Sequence, residues 1–123
     1  MWNGINRRKF PRANYKCLIV IKKRVNAKTI STQTENVGAG GICVNIHDDL
    51  GLFQGVDIEL FLDDGKMPIK CGGTVVWVVK KSDPKQKGGH LFDTGLEFVD
   101  IRPEDRERTT EIVEKILKNQ RRK

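Results

Sequence analysis

Four cations fall within six residues near the N-terminus of this chain, in the segment 7–12, which reads RRKFPR. An arginine side chain presents its N–H donors in a planar fork that fits a phosphate or the O6/N7 edge of a guanine. Because Arg8 and Arg12 are four residues apart, they can hold two groups of one ligand at once. The spacing alone is a weak signal, since Arg102 and Arg106 repeat it in a region that we interpret as an exposed helix face.

A second candidate ligand segment, residues 36–41, reads NVGAGG and lies between two predicted strands. Gly38, Gly40 and Gly41 can supply positive φ and let a ligand approach the backbone closely. The same glycines could instead form only a tight turn between strands. The residues by themselves leave both interpretations open.

The positive charge of the chain is concentrated at its N-terminal end. The chain has 123 residues and a formal net charge of +7. Residues 1–30 contain nine Lys/Arg and no Asp/Glu, whereas residues 31–123 contain fourteen basic and sixteen acidic residues. This distribution favours a phosphate or polyanion that approaches the N-terminal segment. A basic leader that only improves solubility is the alternative.

Cysteine and histidine spacing argues against a disulfide framework, a metal site and catalysis. The chain has three cysteines, an odd number, and no CxxC motif joins any two of Cys17, Cys43 and Cys71. The two histidines, His47 and His90, lie far apart in sequence. No nucleophile elbow or phosphate-binding P-loop is present. We therefore predict no enzymatic activity, no cofactor and no metal, and we expect Cys17 and Cys71 to be small core residues.

No segment resembles a signal peptide or a membrane-spanning run. We therefore expect a cytoplasmic protein with reduced thiols and no membrane insertion.

Strand-like composition recurs along the chain and ends in one helical segment. The predicted strands are residues 15–22, 28–35, 42–46, 56–62, 68–79 and 90–99. From Pro103 onward the apolar period becomes helical, with one face formed by Thr109, Ile112, Val113, Ile116 and Leu117. The pattern predicts a mainly β protein, a six-stranded antiparallel β-barrel with a C-terminal amphipathic α-helix. The Gly72-Gly73 pair inside one strand suggests a bulge or a barrel corner.

We expect a single domain, since the length suits one hydrophobic core. In this interpretation residues 1–14 form a flexible basic arm that carries RxxxR. Residues 15–123 form the barrel and its helix.

Together, the two candidate ligand segments resemble the paired motifs of the PilZ domain, the family of bacterial cyclic di-GMP receptors. That family has RxxxR before the first strand, matched here by Arg8 and Arg12. It has (D/N)xSxxG between the second and third strands, matched here by Asn36 and Gly41. Gly38 stands where the family usually has serine. The segment 95–100 also resembles the closing strand of the family.

The resemblance implies a non-catalytic receptor that binds cyclic di-GMP and passes the signal to a protein partner by ordering its N-terminal arm. Arg8 and Arg12 would engage guanine edges and phosphates, and Asn36 would bind a guanine through its amide. In this family an arginine at the position of Arg7 accompanies a mutually intercalated ligand dimer, so we expect two ligands per chain. Gly41 would keep the turn open.

Two other functions compete with this one. A PilZ-like domain that no longer binds nucleotide and serves only as a protein-interaction adaptor is favoured by Gly38. A nucleic-acid-binding barrel is the other, but the basic segment offers only Phe10 and Tyr15 for stacking on bases. We therefore expect cyclic di-GMP and an unidentified effector protein as partners, and no nucleic acid.

Overall fold

Seven strands and one helix make up the fold in a computed structural model that describes residues 12–121. In chain order the elements are β1 (Arg12–Asn14), β2 (Leu18–Lys23), β3 (Thr29–Gly38), β4 (Gly41–Ile46), β5 (Gly55–Phe61), β6 (Ile69–Ser82), β7 (His90–Val99) and α1 (Pro103–Arg121).

β3 is the strand that closes the barrel. Its N-terminal part pairs with β2 and its C-terminal part pairs with β4, both antiparallel. The remaining pairings run from β2 through β5, β6 and β7 to β4, and all of them are antiparallel. The predicted six-stranded antiparallel barrel with one C-terminal helix is confirmed.

β1 is an addition to the six predicted strands. Arg12 pairs with Gly38 and Asn14 pairs with Asn36. β4 and β1 both pair with β3 at Val37, so they lie on opposite edges of β3. β1 and β2 follow each other along the same edge of β3. A strand of three residues shows no periodicity, so the sequence did not reveal it. The last residues of the predicted arm 1–14 are thus a paired strand here, and residues 1–11 lie outside the described part.

The barrel interior is filled by alternate residues of the strands, as period-2 patterning requires. Ile42, Val44 and Ile46 share one face of β4 by alternation, and all three are buried. Cys17 is buried and Cys71 packs against the core, as predicted. Other strands supply Ile19, Ile21, Val37, Val56, Ile58, Leu60, Ile69, Val75, Leu96 and Phe98.

α1 packs on the barrel beside β1 and β3. It begins at Pro103, which suits the first helical turn, and Asp105 lies in that turn near the positive end of the helix dipole. Thr109 and Val113 of the predicted apolar face are buried. Arg108 joins the helix to the β5–β6 turn through hydrogen bonds of 3.0–3.2 Å to the carboxylate of Asp64.

The irregularity of β6 does not fall at its glycine pair. Gly72 and Gly73 continue the register with both neighbouring strands, so they form neither a bulge nor a break. A Cβ on Gly73 would lie 2.4 Å from Cδ1 of Ile58, so a larger residue there would require the Ile58 side chain to shift. The bulge lies between Val75 and Trp77 instead. β6 also extends to Ser82, three residues beyond the predicted strand 68–79.

Two further findings apply to residues 12–121 only. No helix there is long and apolar enough to cross a bilayer. No three His, Cys, Asp or Glu side chains there are grouped so that they could hold a metal ion.

Candidate ligand-binding site

Arg12 lies at the centre of the candidate site. Its Nη1 donates a hydrogen bond of 3.3 Å to Oδ1 of Asn36. Its guanidinium carbon lies 5.1 Å from the ring centroid of Trp77, which is within cation–π range. The structure thus brings together one residue from each predicted motif and adds an aromatic ring that the sequence analysis did not single out.

Strand register explains why these side chains meet. Asn36 pairs with Cys43, Cys43 with Gly95, and Gly95 with Trp77, so one row crosses β3, β4, β7 and β6. Directly paired residues point to the same face of a sheet. Both neighbours of Cys43 in the chain are fully buried in the core, so this row lies on the outer face of the barrel. Arg12 reaches the row from β1.

The bulge in β6 turns Trp77 outward. Val75 is fully buried, and regular alternation would also place a side chain two residues later in the core. The register shift between Val75 and Trp77 inserts one residue and reverses that expectation. Trp77 then lies against Gly95, where a Cβ would come within 2.4 Å of the indole ring. Because Gly95 has no side chain, the indole ring of Trp77 can lie directly on β7.

The glycines of the segment 36–41 do not use the positive φ that glycine permits. Within residues 12–121, positive φ occurs among the glycines at Gly51, Gly65 and Gly88, and not at Gly38, Gly40 or Gly41. Ala39 and Gly40 form the two-residue loop between β3 and β4.

Gly41 serves strand packing. A Cβ on Gly41 would lie 2.1 Å from the carbonyl oxygen of Leu96, so only glycine allows β7 to approach this closely. The carbonyl of Gly40 accepts a hydrogen bond of 2.9 Å from the Phe98 amide. Gly38 pairs with Arg12 and places no side chain beside it. Ligand contact by these glycines stays a prediction.

The turn is also connected to the helix. Nη1 of Arg106 donates a hydrogen bond of 3.2 Å to the carbonyl oxygen of Ala39, which lies between Gly38 and Gly40. This is one of the two arginines of the second RxxxR, which the sequence analysis assigned to an exposed helix face. Arg106 is half-buried, and it links α1 to the candidate site.

Cys43 lies in the floor of the site, where its surroundings favour the protonated thiol. Its thiol donates a hydrogen bond of 2.8 Å to Oδ1 of Asp93. Burial, together with this hydrogen bond and the charge of the carboxylate, raises the pKa of Cys43 to about 12. The nearby Arg12 acts in the opposite direction. Because the thiolate is the nucleophilic form, the residue has a structural role here.

Two predicted site residues, Arg7 and Arg8, lie outside the described residues. Of the residues that the sequence analysis missed, Trp77 carried a usable signal, since it interrupts an aliphatic run with a large aromatic side chain. Gly95 and Cys43 carried none, because their place in the site depends on register.

The sequence of the whole barrel matches a known protein family. A model of the PilZ domain matches residues 6–115, which is most of the chain. The chain belongs to the PilZ family. The resemblance inferred from RxxxR and the segment 36–41 is confirmed. No curated protein matches this PilZ chain by sequence.

Solved structures of similar fold agree with this assignment. The Bacillus subtilis inhibitor of motility, MotI/DgrA, is 21% identical with a TM-score of 0.69, over 94% of this chain and 52% of that one. The complex of K. pneumonia MrkH with c-di-GMP is 16% identical with a TM-score of 0.72, over 94% and 55%. The PilZ domain of Escherichia coli YcgR with c-di-GMP is 12% identical with a TM-score of 0.67, over 94% and 95%. The chain therefore spans about half the length of MotI/DgrA and MrkH.

Proposed function

We propose that this PilZ chain is a non-catalytic receptor for cyclic di-GMP. The observation that carries the proposal is the position of Arg12, held against Asn36 and Trp77 on the outer face of the barrel. Two PilZ neighbours, MrkH and YcgR, have been solved with c-di-GMP, which supports the same ligand here.

Arg12 suits the anionic and guanine parts of this ligand. Cyclic di-GMP has two phosphates and two guanine bases, and a guanidinium can donate two parallel hydrogen bonds to either. Trp77 fixes the plane of the guanidinium by the cation–π contact, which reduces the entropy lost when the ligand binds.

Asn36 suits a guanine edge. Its Oδ1 accepts from Arg12, and a carbonyl oxygen has two lone pairs, so it can accept a second hydrogen bond from N1–H or N2–H of the base. A neutral amide is a weaker acceptor than a carboxylate. We therefore expect moderate affinity from this contact.

Gly38 weakens the site without removing it. The serine hydroxyl of other family members would contribute about 0.5–1.5 kcal/mol, which is about three- to tenfold in affinity. A charge-assisted hydrogen bond from an arginine contributes about 1.5–3 kcal/mol. The retained Arg12 and Asn36 therefore outweigh the missing hydroxyl.

Arg8 and Arg7 complete the proposed site. Arg8 would supply the second guanidinium of RxxxR, and Arg7 would stack on or pair with a second, intercalated ligand. We propose that the ligand draws residues 1–11 against the barrel and so changes the surface offered to an effector protein in the cytoplasm. The hydrogen bond between Arg106 and Ala39 gives α1 a direct contact with the same turn.

The second candidate function is that of an adaptor that binds a protein and no nucleotide. Gly38 is the observation in its favour. It predicts no heat and no thermal stabilisation with cyclic di-GMP at any concentration tested.

Calorimetric titration of the purified chain with cyclic di-GMP, GTP and a single-stranded RNA oligonucleotide separates these functions. We expect saturable heat with cyclic di-GMP alone, at two ligands per chain. Binding of the RNA with steep salt dependence and indifference to cyclic di-GMP would support a nucleic-acid-binding barrel instead. No binding of any of the three would support the adaptor.

A further inference from the structure

β6 is longer than its partner on one side. β5 pairs with it only from Ile69 to Thr74, whereas β7 pairs with it from Gly72 to Ser82. Among residues 12–121, no strand pairs with the β5-side edge of residues 76–82. We call this segment, VWVVKKS, the β6 edge. Its β-branched and aromatic composition keeps it extended.

The backbone groups of the β6 edge are arranged to receive a strand. On the same side, the amide of Val75 donates to Gln54 and its carbonyl accepts from Phe53, at 3.0 and 2.7 Å. After the bulge, alternation directs the N–H and C=O groups of Val78 and Lys80 toward this side. The barrel's own pairing therefore ends at Val75, and a row of backbone donors and acceptors continues beyond it.

An exposed aromatic ring stands at the start of the β6 edge. Phe53 has φ of 65°, which is rare for a bulky side chain, and the residue is 72% exposed. Strained conformations of this kind persist where surrounding contacts impose them and are concentrated at functional sites. The hydrogen bond from the Phe53 amide to the Val75 carbonyl places residue 53 at the start of the edge. Val79, which is 53% exposed, adds apolar surface within the edge itself.

The charge around the β6 edge selects the kind of strand that can bind. Residues 76–89 contain four lysines and one carboxylate, Asp83. That carboxylate is hydrogen-bonded to Nε2 of His47 at 3.2 Å. An acidic strand would be attracted, whereas a second copy of this chain would bring a further formal charge of +7.

We infer that the β6 edge binds an extended, acidic, strand-forming segment of a partner protein as an added strand of the barrel. Main-chain hydrogen bonds to Val78 and Lys80 would supply register, as in other cases of β-strand addition. Phe53 and Val79 would contact alternate apolar side chains of the segment, and the lysines would contact its carboxylates. The inference does not depend on the proposed nucleotide ligand.

The test uses the whole chain and two capped peptides, one of alternating glutamate and valine and one of alternating lysine and valine. Amide hydrogen exchange and chemical shifts are followed by NMR as each peptide is added. We expect saturable binding of the acidic peptide, with exchange slowed at Val78 and Lys80 and unchanged at Val79, whose amide faces β7. Binding of the lysine peptide with equal affinity, or no binding of the acidic peptide, would overturn the inference.

A matched pair of variants tests the edge itself. Lys80→Pro removes an edge N–H without removing a hydrogen bond to β7, whereas Lys80→Ala removes the same charge and keeps the N–H. We expect Lys80→Pro to abolish peptide binding and Lys80→Ala to weaken it only a few-fold, about as a surface charge does. Equal binding by both variants would contradict the proposal. Concentration-dependent dimerisation that Lys80→Pro removes would assign the edge to a second copy and overturn it.

Discussion

The guanidinium of Arg12 lies over the indole of Trp77 at 5.1 Å, although the two residues belong to strands at opposite ends of the β1–β3–β4–β7–β6 series. The intervening strands contribute Gly38, Cys43 and Gly95, which are small enough for the two long side chains to meet above them. This contact makes the site a property of the closed barrel as well as of the N-terminal motif.

Replacing Trp77 should weaken cyclic di-GMP binding without unfolding the barrel. Trp77→Leu removes the cation–π contact that orients Arg12, worth about 1 kcal/mol, so we expect about a fivefold loss of affinity by calorimetry. Trp77→Phe, which keeps an aromatic face, should lose less. Equal affinity in all three proteins would show that the ring does not position Arg12.

Gly95→Ala should act through the same ring. A Cβ at this position would lie 2.4 Å from the indole, so the ring must move off β7. We expect the double variant with Trp77→Leu to bind no more weakly than the weaker single variant, because both changes remove one arrangement. Fully additive losses would mean that Gly95 acts independently of Trp77.

Gly38→Ser should strengthen binding. The new hydroxyl can donate to the ligand or accept from it, and we expect a gain of about three- to tenfold in affinity. Gly38→Ala is the matched control, since it adds the Cβ without the hydroxyl. An equal gain in Gly38→Ala would attribute the effect to the backbone.

The ion pair between Asp64 and Arg108 should make stability depend on pH in the acid range. Burial opposes ionisation of Asp64, but hydrogen bonds from the Lys66 amide and from Arg108 outweigh it, so the pKa lies below its usual 3.8. Because the folded-state pKa of Asp64 is lowered, the ion pair stabilises the folded protein fully at pH values above the unfolded-state pKa. This stabilisation is lost as the pH falls through the folded-state pKa.

Urea unfolding of Asp64→Asn measures this effect. We expect the variant to be less stable than wild type by about 1.5–3 kcal/mol near neutral pH, because Arg108 is largely buried, loses its hydrogen bonds to one of two carboxylates and keeps only Asp105 as an acidic partner. The difference should shrink as the pH falls below the usual value of 3.8 and through the lowered folded-state pKa, because Asp64 then becomes protonated in the wild type as well. Asp57→Asn is the control, since its pair with Arg24 is exposed. A stability difference between wild type and Asp64→Asn that stays constant over the acid pH range would show that the pH dependence does not come from Asp64.

Cys43 should react slowly in the folded protein. Its pKa of about 12 leaves almost no thiolate at about pH 8, so alkylation by iodoacetamide should be far slower than in urea. Asp93→Asn removes the carboxylate charge and should speed the reaction at Cys43. Cys17, which is not in contact with Asp93, is the internal control. Faster reaction at both cysteines would indicate general loosening of the fold.

Alternation and helical period predicted most of the barrel, because they record which face of an element is buried. Ile42, Val44 and Ile46 fall on one face of β4 by alternation and are all buried, and the apolar face of α1 was predicted from its spacing. β1 was missed because a strand of three residues is too short to show a period.

The candidate site was only half visible in the sequence. Arg12 and Asn36 were found by type and motif, but Trp77 reached the outer face through a bulge, which regular alternation cannot anticipate. The packing role of Gly41 was not anticipated either, because the close approach of Leu96 is a tertiary contact with no local signal.

The most direct test of the proposed receptor function is calorimetric titration of cyclic di-GMP into the wild type, Arg12→Ala and Arg24→Ala. Both variants lose one guanidinium, but Arg24 lies in the β2–β3 turn, where it pairs with Asp57. We predict at least about a tenfold loss of affinity in Arg12→Ala and little change in Arg24→Ala, since a charge-assisted contact contributes about 1.5–3 kcal/mol. Equal losses of affinity in the two variants would show that the arginines act only through the net positive charge of the protein. Unchanged binding by Arg12→Ala would contradict the proposed site.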